Sequence, residues 1–270
     1  MRFSICLEMI YPELDFAARA GWTREAGFTT VEFWGWEGKD LAVLRTLVAQ
    51  GLAVATFSGQ RRGSLVNRDD WEVYRAEVRA SIPVARSLGC DRLMLLTQEE
   101  LPDGSARPAP PHLTRAEQRA NVVRGLAALA TVAEQEGITL LLEPLNTRVD
   151  HPGFFLDSAR DGFAIVEEVG SPHVRLLYDI YHMEVMERDS TQTLLRHLPL
   201  VGHIHIADVP GRHEPGTGKL DFHRILRAVS DAGYAGAVGF EFAPRAGTEE
   251  ALARIAALRD QLRAHGCEVS

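Results

Sequence analysis

Two rhythms of apolar residues alternate along this 270-residue chain. Short apolar runs recur at Phe3–Leu7, Val31–Trp34, Leu52–Phe57 and Asp91–Leu96, then at Ile138–Leu142, Val174–Tyr178, Val201–Ile206 and Ala237–Phe240. Their length, and the period of two where polar residues interleave, predict strands. Between them, apolar residues fall at helical spacing over Leu14–Ala26, Leu41–Gln50 and a long stretch to Leu88 capped by Asp69 or Asp70. The same spacing returns over Thr114–Glu136, Asp157–Val169, Thr191–Leu198, Asp221–Ala232 and Glu249–His265. Gly27, Gly51, Gly89, Gly137 and Gly233 stand just past helix ends, where glycine closes the last turn. Thr114 followed by Glu117 spells a capping box. One segment fits neither rhythm: Leu101–Leu113, with Pro102, Pro108, Pro110 and Pro111, reads as a lid or a long surface loop.

About eight strand–helix alternations, with no break in composition, predict a parallel sheet closed on itself. The expected fold is a single (β/α)8 TIM barrel occupying residues 1–270 as one domain. A doubly wound open sheet is the weaker alternative. No GxGxxG follows the first strand, and no phosphate-cradling GxxxxGK[ST] occurs.

Composition narrows the partners. A hydrophobic fraction of 46% supports a large core, and a net charge of −8 argues against an extended nucleic-acid footprint. Cys6, Cys90 and Cys267 are odd in number, widely spaced and in no CxxC pair, as expected of reduced thiols in a cytoplasmic protein. No leader pattern and no stretch able to span a bilayer is evident, so neither membrane nor nucleic acid is an expected partner. A small-molecule substrate is expected, and a homo-oligomer is left open.

The chemistry concentrates at strand ends, which in a barrel of this kind converge on one mouth. The densest stretch, His203-Ile204-His205-Ile206-Ala207-Asp208-Val209-Pro210-Gly211-Arg212-His213-Glu214, starts as a strand and breaks into a loop at Pro210-Gly211. The ends of strands five to eight supply Glu143, Asp179, His205 and Glu241. Singly, each has a plain structural role as a strand cap, a helix cap or a hydrogen-bonded core histidine. Together they would set three carboxylates around one point, which repel unless protonated or neutralised by a cation. Three oxygen ligands and one nitrogen suit Mn²⁺, Mg²⁺ or Co²⁺. Glu143 and Glu241 are then candidates to move a proton on and off a carbon beside a carbonyl, through an enediolate. His182 is placed to hydrogen-bond substrate oxygen, and Arg212 to grip a carboxylate or hydroxyl with its planar fork. Glu8 is a candidate for the pocket or for packing, His203 for the core or for supporting a ligand rather than ligation, Trp34 and Trp36 for pocket wall or core packing, and His213 and Glu214 for loop or rim.

At these residues the chain resembles the hydroxypyruvate isomerase group of the xylose-isomerase-like barrels, over essentially its whole length. The most specific segments are Val209-Pro210-Gly211-Arg212-His213-Glu214-Pro215 and Leu177-Tyr178-Asp179-Ile180-Tyr181-His182. Leu142-Glu143-Pro144-Leu145-Asn146 and Gly239-Phe240-Glu241-Phe242-Ala243-Pro244-Arg245 add to them. The resemblance implies a metal held by Glu143, Asp179, His205 and Glu241, the two glutamates as the acid/base pair, and His182 and Arg212 near substrate. The implied reaction converts hydroxypyruvate to 2-hydroxy-3-oxopropanoate (tartronate semialdehyde). One departure stands out: hydroxypyruvate isomerases commonly carry Gln at the strand-seven position, whereas His, as in His205, is the habit of the related ketose 3-epimerases. Ketose 3-epimerase, 2-oxo-tetronate isomerase and inosose-type dehydratase chemistry are therefore the alternatives on the same scaffold.

Overall fold

In a computed structural model describing residues 1–187 and 189–270, eight strands pair in parallel and in sequential order, and β8 closes onto β1. The strands are β1 (Arg2–Cys6), β2 (Thr30–Phe33), β3 (Ala53–Ser58), β4 (Arg92–Leu95), β5 (Thr139–Leu142), β6 (Val174–Asp179), β7 (Val201–Ile206) and β8 (Ala237–Phe240). The helices among the described residues are α1 (Phe16–Glu25), α2 (Leu41–Ala49), α3 (Trp71–Ser87), α4 (Arg115–Glu136), α5 (Ala159–Val169), α6 (Ile180–Met186), α7 (Ser190–Arg196), α8 (Phe222–Asp231) and α9 (Thr248–Ala264). The expected (β/α)8 barrel is thus the observed one. None of these helices is long and apolar enough to cross a membrane.

The period of two along the strands sorts residues between two spaces. Leu140 and Leu142 of β5, Leu176 and Tyr178 of β6, and Ile204 and Ile206 of β7 join the main core between sheet and helices. Each such Leu or Ile contributes about 1.5–3 kcal/mol by leaving water. The intervening Leu141 and Leu177 instead meet Met94 of β4 in a small apolar cluster of their own. On that inner face the next positions toward the carboxyl ends are polar: Glu143, Asp179 and His205. The register pairs Asp179 with His205, and His205 with Gly239, at one level of the barrel.

Local signals behave as their chemistry dictates, with two differences. The Thr114–Glu117 capping box forms in full, and Gly137 closes α4 in the left-handed conformation. Neither Asp69 nor Asp70 caps α3 through its side chain: Asn67 caps a preceding 3₁₀ turn (Arg68–Asp70) that leads directly into the helix. Helix α6 is the other difference, because the apolar run through Asp179 does not stop at the strand. The Asp179 carboxylate accepts from the backbone N–H groups of Tyr181 (2.7 Å) and His182 (3.2 Å), which turns the chain into a helix at once. The proline-rich segment is tied down, with the Ala106 N–H donating to Pro152 O and the Leu101 N–H to Ser105 O.

Candidate metal centre and active site

Strand ends β5 to β8 bring Glu143, Asp179, His205 and Glu241 together as predicted. One ligand atom from each lies within 4.8 Å of the others, and all four residues are buried. His205 Nδ1 stands 3.5 Å from Glu241 Oε2 and 3.7 Å from Glu143 Oε1. Asp179 keeps one oxygen for capping α6, which leaves Oδ2 toward the cluster, 3.5 Å from His182 Nε2.

Charge is arranged unevenly around this ring. Burial pushes Asp179 up to about 7, with Glu143 and Glu241 adding to it against His205 and Arg212. Burial raises Glu143 as well, opposed by His205. Burial also works against the charge of Glu241, yet Arg212, His205 and Trp34 hold its carboxyl well below the usual range. The contacts explain the contrast: Arg212 Nη2 donates to Glu241 Oε2 at 2.8 Å and Trp34 Nε1 to Oε1 at 2.6 Å, whereas Glu143 Oε1 has no hydrogen-bond partner. Two carboxylates at one site are thereby pushed apart in acidity.

The donor set fits a divalent cation. Glu143 Oε1 and His205 Nδ1 are enclosed and unpartnered, which is costly for groups of this polarity unless something else pairs them. Three carboxylates and one imidazole form a hard, oxygen-dominated ligand set.

His182 is nearly inaccessible, and its tautomer is set by Asn146. The Asn146 side-chain oxygen accepts from the N–H groups of Val149 and Asp150, so its amide nitrogen is the atom 2.7 Å from His182 Nδ1. The ring therefore accepts at Nδ1 and carries its proton on Nε2. Burial, then Arg212 and His151, hold the ring well below its ordinary pKa, so it is a neutral donor.

Arg212 sits in the left-handed region at φ 57°, with its guanidinium 5.4 Å from the Tyr181 ring centroid. Its loop is organised by Asp208, which is completely buried and accepts from the N–H groups of Val209, Gly216, Gly218 and Leu220. Gly218 is obligatory there, since a Cβ would lie 2.3 Å from Val209 O. Glu214 is not a rim residue: it is 1% exposed, and its carboxylate accepts from the Arg245 N–H, joining the loops after β7 and β8. His213 Nδ1 reaches Ala243 O at 2.7 Å in the same join.

Of the aromatic candidates, Trp34 walls the mouth, while Trp36 packs on the core and donates to Ser81. Glu8 pairs with Lys39 at 2.7 Å and accepts from the Trp34 N–H, so it supports the wall. His203 is buried against Glu32. Three titratable residues at the mouth were outside the sequence expectations: Arg61, Glu100 and His151, with Glu100 3.1 Å from His151 and 3.7 Å from Arg61. They lie on loops with no strand-end signal. The pairing of Glu100 with Ala106, and of Gly104 O with His151, shows how the proline-rich segment holds Glu100 and His151 together there, while Arg61 comes from the loop after β3.

Comparison with known proteins agrees with this architecture. The family description "Xylose isomerase-like TIM barrel" matches residues 20–261, and the chain belongs to that family. A 2-oxo-tetronate isomerase of Cupriavidus necator is 34% identical over 93% of this chain and 96% of its own. The hydroxypyruvate isomerase of Escherichia coli is 32% identical over 93% of this chain and 97% of its own. A solved structure titled AP endonuclease, family 2, from Brucella melitensis superposes with a TM-score of 0.86 at 29% identity, covering 95% and 98% of the two chains.

Proposed function

We propose that the protein is a divalent-metal-dependent isomerase that moves a carbonyl between adjacent carbons of a small hydroxy-keto acid. Hydroxypyruvate, giving 2-hydroxy-3-oxopropanoate, is the leading substrate. The observation that carries this reading is the buried ring of Glu143, Asp179, His205 and Glu241, with its two glutamates held at opposite acidities. Relatives at 32–34% identity named as isomerases of hydroxypyruvate and of 2-oxo-tetronate support it.

Glu143, Asp179, His205 and Glu241 would hold the cation, with Mn²⁺, Mg²⁺ or Co²⁺ matching the donors. When bound, it supplies the Lewis acidity that polarises the substrate carbonyl and the adjoining hydroxyl. Glu241, kept ionised by Arg212, takes the proton from the hydroxyl-bearing carbon. Glu143, whose carboxyl burial pushes up against the pull of His205, returns a proton to the former carbonyl carbon. The hydroxyl proton passes from one oxygen to the other, so the enediolate collapses to the isomeric hydroxy-aldehyde, and a proton then passes from Glu241 back to Glu143 to reset the pair. A carboxylate has about four lone-pair sites, so ligation and proton transfer are compatible on one side chain. His182 donates Nε2–H to a substrate oxygen, and Trp34 closes one side of the mouth.

A second reading, ketose 3-epimerase, is favoured by His205 at the strand-seven position and uses the same two glutamates. A nuclease reading is opposed by the net charge of −8, since phosphate backbones are held by clustered Lys and Arg. Proton NMR in D₂O on the Mn²⁺-loaded protein, followed after chelation, separates these readings. Deuterium entry and an aldehyde product from hydroxypyruvate are expected. Exchange confined to C3 of an offered ketohexose would move the protein to the epimerases, and silence with both at full metal occupancy would overturn the isomerase reading.

A further inference from the structure

One buried carboxylate takes no part in the ring just described. Glu32, on β2, crosses the interior of the barrel to β7, and the residue is 2% exposed. His203 Nε2 donates to its Oε2 at 3.0 Å, and its Oε1 lies 2.8 Å from His205 Nε2. Space for it is built into the opposite wall. A Cβ on Gly239 of β8 would stand 2.1 Å from Oε1 and 2.5 Å from Oε2, so the missing side chain at 239 is what admits the carboxylate. Ordinary packing would fill an inward position of β8 with a branched side chain, as barrel interiors usually do. Here that position is given up to a charged group, which is an expensive choice unless the group has a partner to serve.

The consequence falls on the His205 ring. Its two nitrogens face different surroundings: Nε2 meets Glu32, and Nδ1 meets Glu143 and Glu241. The Glu32 contact lies off the axis of the ring N–H, so it is a close charge contact and not yet a formed hydrogen bond. Its sense is still fixed, because a bare nitrogen lone pair 2.8 Å from a carboxylate oxygen would be repelled. Nε2 must hold the proton. Nδ1 is then the nitrogen that can give up its proton and meet a cation, as when a carboxylate orients a metal-binding imidazole from behind.

We propose that Glu32, anchored by His203 and admitted by Gly239, is a positioning residue that keeps the His205 proton on Nε2 and so reserves Nδ1 for the cation. This rests on the metal reading given above. In this reading Glu32 acts through His205 and not as a ligand, although its carboxylate, His203 and His205 also lie within 4.8 Å of one another.

Free Mn²⁺ measured by electron paramagnetic resonance during titration tests the proposal on the natural protein and on Glu32→Gln. The amide keeps the shape of the side chain and removes its charge. The variant should lose about 10–100-fold in Mn²⁺ affinity, the usual effect of removing such a partner. Mn²⁺ binding by E32Q within twofold of the natural protein would overturn this inference alone. Failure of the natural protein itself to bind Mn²⁺ would overturn the metal reading, and this inference with it. Should E32Q not fold, the imidazole ¹⁵N spectrum of the natural protein loaded with diamagnetic Zn²⁺ decides. A proton on Nε2 of His205 supports the proposal, and a proton on Nδ1 overturns it.

Discussion

Arg212 makes a contact that its sequence position did not suggest. Its type and place suggest a grip on a substrate carboxylate or hydroxyl, and its Nη2 also donates to Glu241 Oε2 at 2.8 Å. It is set there by a backbone conformation that non-glycine residues seldom adopt, at a cost of about 1–2 kcal/mol. A strained residue spent on a candidate base is best understood as a guard of that base's charge. Arg212→Ala should therefore lower kcat by roughly 100-fold or more, beyond any rise in KM, since Glu241 loses its strongest counter-charge. Arg212→Lys should recover only part, because an ammonium cannot reproduce the fork. Steady-state kinetics on hydroxypyruvate checks both, and a change in KM alone would return Arg212 to a purely substrate-gripping role. The four ring residues were legible in the sequence because strand ends converge by the geometry of a barrel. Glu32 was not. It sits inside an apolar run, and the glycine that makes room for it lies 207 positions away on β8, with no local mark of its purpose.

At the scale of elements, the loop between β7 and α8 shows why a chemically suggestive carboxylate can be architectural. Asp208 stands in the richest motif of the chain, yet all its capacity goes to four backbone N–H groups that would otherwise be stranded. Asp208→Ala should cost about 3 kcal/mol or more in urea unfolding, since several buried donors lose a charged acceptor at once. It should also lower kcat, because Arg212 rides on this loop. Asp208→Asn, which keeps one acceptor oxygen, should cost less on both counts, and equal effects of the two substitutions would show that the loop is held by other contacts. The strands and long helices were readable because periodicity and caps are local. Helix α6 was not, because one side chain serves two elements: the Asp179 carboxylate ends a strand, starts a helix and still offers an oxygen to the ring. Period alone cannot report that. Glu214, expected on the loop or its rim, lies on the loop but is buried by a loop-to-loop contact that no local pattern reports.

Over the whole molecule, the ring makes stability depend on metal and on pH together. A raised carboxylate pKa means that the folded, metal-free protein holds a proton the unfolded chain has released. For Asp179, at about 7, the associated stability is full at acid pH and is lost as pH rises toward 7. Glu143 acts in the same sense. His182 and His203, buried as neutral rings with lowered pKa values, act in the opposite sense, so the absolute melting temperature mixes the two trends. Their contribution is common to metal-free and metal-loaded protein, and it cancels in the difference between them. That difference carries the ring alone. Mn²⁺ at about 100 times its Kd should stabilise the fold by about 2.7 kcal/mol. For a chain of this size that is a shift of about 5–10 °C in Tm at pH 7.5. At pH 5.5 the cation must first displace the Asp179 proton, which alone weakens binding by about 30-fold, so the same Mn²⁺ concentration should produce a much smaller shift. Calorimetry at the two pH values, with and without Mn²⁺, reads the effect directly. An equal shift at both would mean that no ring carboxylate holds a proton in the metal-free protein, and that its charge is balanced by Arg212 and His205 without a cation.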